Sequence, residues 1–119
     1  MRHSKRWVSA SALTATLIVV WGLVLGSVAL AQEARWETVN QKALQLLRQG
    51  KYQEGIRVAK EGLRVAEKTF GSDHPNVATS LNNLAGLYHA QGKYAEAEVP
   101  LVMAQAFREG KLEVMDYYP

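Results

Sequence analysis

The chain has 119 residues, no cysteine and a formal net charge of +3, a length that holds one small domain. Without cysteine, disulfide frameworks, thiolate catalysis and Cys-based metal sites are excluded. Arg2, Lys5 and Arg6 account for the whole charge excess: fourteen basic residues less these three leaves eleven, against eleven acidic ones. The body from Gln32 onward is therefore neutral and lacks the net positive footprint of a nucleic-acid binder.

Met1 to Arg6 is basic, and no further charge follows until Glu33. Apolar density peaks from Leu13 to Leu25, and the stretch closes on Ser27-Val28-Ala29-Leu30-Ala31. This layout of basic start, apolar centre and small residues at the cleavage positions predicts a secretory signal over residues 1–31, cut after Ala31. The competing reading is an uncleaved membrane anchor, because an uncharged run of this length can span a bilayer. Either way the positive end stays inside, so the body is expected to be exported, periplasmic or secreted, or else anchored and facing outside.

From Glu33 to Arg48, the residues Trp36, Val39, Ala43, Leu46 and Leu47 recur at helical spacing, and Gly50 ends the helix. A turn at Lys51-Tyr52-Gln53 leads to a second helix carrying Ile56, Ala59, Leu63, Ala66 and Phe70. Gly71 is placed as a C-cap, Asp73 as the donor-accepting cap of the next helix, and Pro75 in its first turn. Val77, Leu81, Leu84, Ala85 and Tyr88 form the stripe of the third helix; Gly92 ends it, and Tyr94 with Ala97 opens the fourth. Short turns between such helices force antiparallel hairpins.

Shifting the chain by 42 positions lays Gln49-Gly50-Lys51-Tyr52-Gln53-Glu54 on Gln91-Gly92-Lys93-Tyr94-Ala95-Glu96, with one difference, and Asn40 on Asn82. A helical-hairpin period of this length predicts a stacked solenoid. Leu84-Ala85, Tyr88, Gly92, Tyr94, Ala97, Leu101 and Ala104 resemble the tetratricopeptide repeat. The longer period, with Gly71-Ser72-Asp73-His74-Pro75 and Leu81-Asn82-Asn83-Leu84-Ala85, is similar to the kinesin light chain subtype. The resemblance implies an all-α, short right-handed solenoid of two repeats, about 34–70 and 75–109, followed by a tail at 110–119. It also implies a groove on the first helices that grips a peptide or protein segment.

Two features depart from the pattern. Pro100 falls inside the fourth helix, where it removes a backbone hydrogen bond and is expected to kink it. Under the same shift Arg57 becomes Val99, Lys60 becomes Val102, Glu61 becomes Met103 and Arg64 becomes Ala106. The last helix is thus expected to expose an apolar face, with Val99, Val102, Met103 and Phe107 as a self-association patch, where a terminal repeat needs a polar cap. The tail residues Leu112, Val114, Met115, Tyr117 and Tyr118, a second copy of the chain, or a partner protein are the candidates to cover it.

Ser72-Asp73-His74 carries the letters of a hydrolase triad, but consecutive turn residues cannot adopt triad geometry. His3, His74 and His89 share no metal-ligand spacing, and there is no glycine-rich phosphate loop. The chain therefore reads as a non-enzyme without cofactor or metal, with no nucleic-acid partner, and with membrane contact only if the first segment is retained. The candidate groove residues are Asn40, Gln41, Asn82, Asn83 and His89, since an amide can both donate to and accept from an extended peptide backbone. In the resembling family, the asparagine at the place of Asn83 holds ligand backbone. The alternative function is a structural, self-associating or membrane-apposed subunit.

Overall fold

The computed structural model describes residues 4–111, with side chains from Ser11 onward. Four helices follow in order: α1 (Ser4–Arg48), α2 (Tyr52–Phe70), α3 (Pro75–Ala90) and α4 (Tyr94–Arg108). Two compact units divide the chain, Met1–Glu33 and Ala34–Pro119. In the first, every side chain from Ser11 to Glu33 is exposed, including Leu17, Ile18 and Trp21. This is the one helix among the described residues long and apolar enough to cross a membrane.

The second unit is built from two helical hairpins joined at Gly71–His74, and α3 packs against both α2 and α4. Val77, Leu81, Leu84 and Leu87 of α3, with Met103 of α4, are among its most deeply buried large side chains, and α3 supplies most of them because it packs against both α2 and α4. Trp36 is tied into this core by its Nε1, which donates to the buried Ser80 hydroxyl at 2.9 Å, and by an edge-on contact with Phe70. Gly55 marks the tightest approach: a Cβ there would lie 2.6 Å from Leu87 Cδ2 and 3.4 Å from Leu46 Cβ.

The 42-residue repeat is a repeat of geometry as well as of letters. Gly50 and Gly92 adopt φ of 73° and 79°, the left-handed region that a side chain disfavours. Each is followed by a lysine whose N–H closes on the carbonyl five residues back, Lys51 on Leu46 and Lys93 on Tyr88, both at 2.9 Å. These bonds satisfy carbonyls that the helix end leaves open.

One expectation about local structure is corrected. The cap of α3 is His74, not Asp73: its Nδ1 accepts from the Asn76 N–H at 3.1 Å, while its ring stacks on Phe70 at 4.5 Å. The residue before a proline is pushed into extended backbone, and His74 at φ −86°, ψ 142° is the residue so placed. Pro100 lies inside α4, as its place in the sequence implies, and is buried there, with the helix running from Tyr94 to Arg108.

The apolar patch of α4 also needs revision. Met103 is 1% exposed and belongs to the core, and Ala106 is buried beside it. Their counterparts in α2, Glu61 and Arg64, are half-buried and exposed. At about 100° per residue, the buried arc of α4 is turned roughly a quarter-turn or more from that of α2. The reason is positional, since α2 buries Ile56, Ala59, Leu63 and Ala66 while a further hairpin packs on it. In α4 those four positions are Glu98, Leu101, Gln105 and Arg108, all exposed. Three of these four stacking positions of the last helix are therefore polar, and the fourth, Leu101, is 50% exposed. Val99 and Val102 remain exposed at 38% and 48%, and Phe107 is half-buried. The tail residues from Leu112 onward, and with them their suggested covering role, lie outside the described residues.

Candidate functional site: an amide-lined face of α1 and α3

Exposed residues of α3 between and beside its core positions include Thr79, Asn82, Gly86 and His89. Steps of three and four place them on one helical strip. On α1 the corresponding strip is Glu37, Gln41 and Arg48, with Leu44 half-buried between them. Asn83 joins the two strips by donating its side-chain N–H to Oδ1 of Asn40, which is buried.

The five groove candidates thus take different places. Asn40 and Asn83 are bonded to each other, so each has committed part of its hydrogen-bonding capacity within the fold. Gln41 is exposed and donates to Glu37 Oε1 at 2.7 Å. Asn82 is exposed on α3. His89 is exposed at the C-terminal end of α3, where its ring meets Tyr94 edge-on at 4.9 Å. Tyr94 was absent from the sequence-derived set. It is 64% exposed, and its place two residues after the turn glycine was the signal that put it beside the end of α3. The aromatic pair closes one end of the strip with apolar rings that carry polar edges.

Gly86 lies in the middle of this strip, and a Cβ built there would meet nothing within 4 Å. Among the described residues, nothing packed against Gly86 requires a glycine at that place. The position between Asn82 and His89 is therefore open to close approach.

Electrostatics on this unit are mild. Burial at the end of α2 raises the Glu67 carboxyl above the ordinary carboxylate range. The Glu109 carboxyl is lowered, first by its bond from Lys111 at 3.0 Å and then by the amide of Gln105. His74, the histidine of the triad-like tripeptide, is engaged as a helix cap through Nδ1. No cluster of three or more His, Asp or Glu suited to a metal occurs among the described residues. What the strip offers chemically is amide donors and acceptors, an aromatic pair and an open backbone.

Comparison with known proteins agrees with this geometry. The chain is 33% identical over 61 residues to an RxLR effector protein, SFI4, of Phytophthora infestans (strain T30-4). That stretch is 51% of this chain but 18% of the relative, so the chain spans under a fifth of that protein's length. The sequence pattern of the tetratricopeptide repeat matches residues 27–109, which takes in α2, α3, α4 and the second half of α1. The match covers well over half of the chain, and the chain belongs to the tetratricopeptide repeat family.

Proposed function

We propose that the chain is a non-catalytic docking module whose α1–α3 face holds an extended peptide or protein segment. Tetratricopeptide repeats generally mediate protein–protein interaction, and the observation that carries the reading here is the composition of that face. Asn82, Gln41 and the Asn40–Asn83 pair offer amides to a peptide backbone, with Gly86 and the His89–Tyr94 pair beside them. Backbone-directed amide contacts give affinity without demanding one sequence. A groove of two repeats buries little surface, so binding is weak. The test is selection of binders from a random peptide display library on the full chain. Peptides whose binding Asn82→Ala or Asn83→Ala abolishes support the assignment; binders indifferent to both substitutions remove it.

The kinesin light chain-like subtype belongs to the same proposal, and the 42-residue period supports it. Export belongs to it as well, supported by the apolar helix behind a basic start. Mass spectrometry of the exported protein is expected to find Gln32 at its N-terminus; an intact Met1 would show an anchor. A second reading, self-association, rests on the exposed Val99, Leu101 and Val102. It requires a species larger than the monomer in light scattering that Val102→Lys returns to monomer.

A further inference from the structure

A second site lies away from the amide-lined strip. An open cleft of about 280 Å³ between α1 and α2 is lined by Arg35, Glu61, Arg64, Val65, Lys68 and Thr69. Glu61, Arg64, Val65, Lys68 and Thr69 follow one another at helical steps along one face of α2, and Arg35 comes from α1. Three cations and one carboxylate share this space, yet the one ion pair among the described residues is Lys111 with Glu109, elsewhere in the fold. The neutral charge of the body conceals an asymmetry here: from Ala34 to Phe70 eight basic residues face four acidic ones.

The cleft has a structural origin. Under the 42-residue shift, Glu61 and Arg64 correspond to Met103 and Ala106, which are buried. In the first hairpin the same positions are left accessible, and the sequence fills them with charge instead of methyl groups. Solvation alone would be served by charges of either sign. Two arginines and a lysine lining one concavity with Thr69, against a single carboxylate, instead suit a compact multivalent anion.

We propose that this cleft binds a phosphate group. Arg35 and Arg64 can each present paired N–H donors to phosphate oxygens, Lys68 adds a point charge, and Thr69 offers a hydroxyl donor. The cavity is large enough for a phosphate and a small substituent. Two sources share this chemistry: free phosphate or a small phosphate ester, and the headgroup of an anionic phospholipid. The second is suggested by sequence, because Arg35 follows Leu30, the last bulky residue of the apolar run, by five residues.

The experiment uses the full chain in non-ionic detergent micelles and follows its thermal melting. Inorganic phosphate is titrated against sodium chloride at constant ionic strength, and in a second arm phosphatidylglycerol is added to the micelles against phosphatidylcholine. A ligand at about ten times its Kd raises the folded-to-unfolded ratio about elevenfold, which moves the midpoint by several degrees. A shift with inorganic phosphate that Arg64→Gln/Lys68→Gln abolishes supports the site with a free-phosphate source. A shift with phosphatidylglycerol alone, abolished by the same exposed substitutions, supports it with a headgroup source. No shift in either arm, or a shift that the double variant keeps, overturns the proposal.

Discussion

The side-chain amide of Asn83 donates to Oδ1 of Asn40 and so bonds α3 to α1 across the boundary between the repeats. The 42-residue register aligns Asn40 with Asn82, so the bonded residues are not equivalent ones. Asn82 keeps an exposed place, while Asn40 is buried. Asn83→Ala leaves the buried Asn40 oxygen without this donor, a loss expected to cost about 1–2 kcal/mol in chemical denaturation. A double-mutant cycle with Asn40→Ala should show coupling of about 0.5–1.5 kcal/mol; additive effects would show that the bond contributes nothing. Peptide binding by Asn83→Ala is interpretable only beside that stability measurement, whereas Asn82→Ala should change binding with stability within about 0.5 kcal/mol.

His74 combines two tasks at the junction, capping α3 through Nδ1 and stacking on Phe70. His74→Ala removes both and is expected to lower stability by about 1–2 kcal/mol. His74→Asn restores a cap acceptor without the ring and should fall between Ala and wild type. Equal stability of the Ala and Asn variants would assign the whole effect to the stack.

How much of this was legible beforehand depends on whether a feature is local. The turns at Gly50 and Gly92 were readable, because a glycine between helical stripes states its own backbone requirement. The hairpins and their order follow from those turns. Asp73 was mistaken for the cap because its type is favoured there, whereas Pro75 fixes the helix start by sterics and leaves His74 as the preceding residue. Met103 was misplaced for another reason. Periodicity gives the faces of α4 but not which face the preceding hairpin occupies, so position in the stack decided what composition could not. The Asn40–Asn83 bond was likewise invisible, since the sequence register pairs Asn40 with its repeat-mate. The cleft at Arg35 and Arg64 has no signature in the sequence, because concavity is a property of two helices together.

Gly86 offers a test that separates folding from docking. It is helical and exposed, and a Cβ there has free space. Gly86→Ala should therefore stabilise the fold by about 0.5–1 kcal/mol through lower backbone entropy loss. If the strip receives a close main chain, the same methyl should weaken peptide binding, so the two measurements move in opposite directions. Unchanged affinity in the stabilised variant would remove Gly86 from the contact.

Glu67 gives a pH dependence with a definite sign. Burial raises its carboxyl in the folded chain, so between the ordinary carboxylate value and the raised one the native state holds more proton than the unfolded state. Stability from this group is therefore lost as pH rises through that window. Glu67→Gln should match wild type in acid, near about pH 4, and be the more stable protein at about pH 7. Denaturation midpoints at the two pH values check this, and a variant less stable at neutral pH contradicts it.

Met103 and Val102 are neighbours in sequence that the structure assigns opposite roles, and substitution should separate them. Met103 is 1% exposed, so Met103→Ala removes core atoms at a cost of about 2–3 kcal/mol. Met103→Glu would bury an unpaired charge and should unfold the second hairpin rather than dissociate an assembly. Val102 is 48% exposed, and its counterpart in the first hairpin is the exposed Lys60. Val102→Lys copies that residue and should leave stability within about 0.5 kcal/mol of wild type. If Val102→Lys instead lowers the melting temperature in a concentration-dependent way, the exposed valines are covered by a second copy of the chain, because only an association equilibrium makes a melting temperature depend on protein concentration.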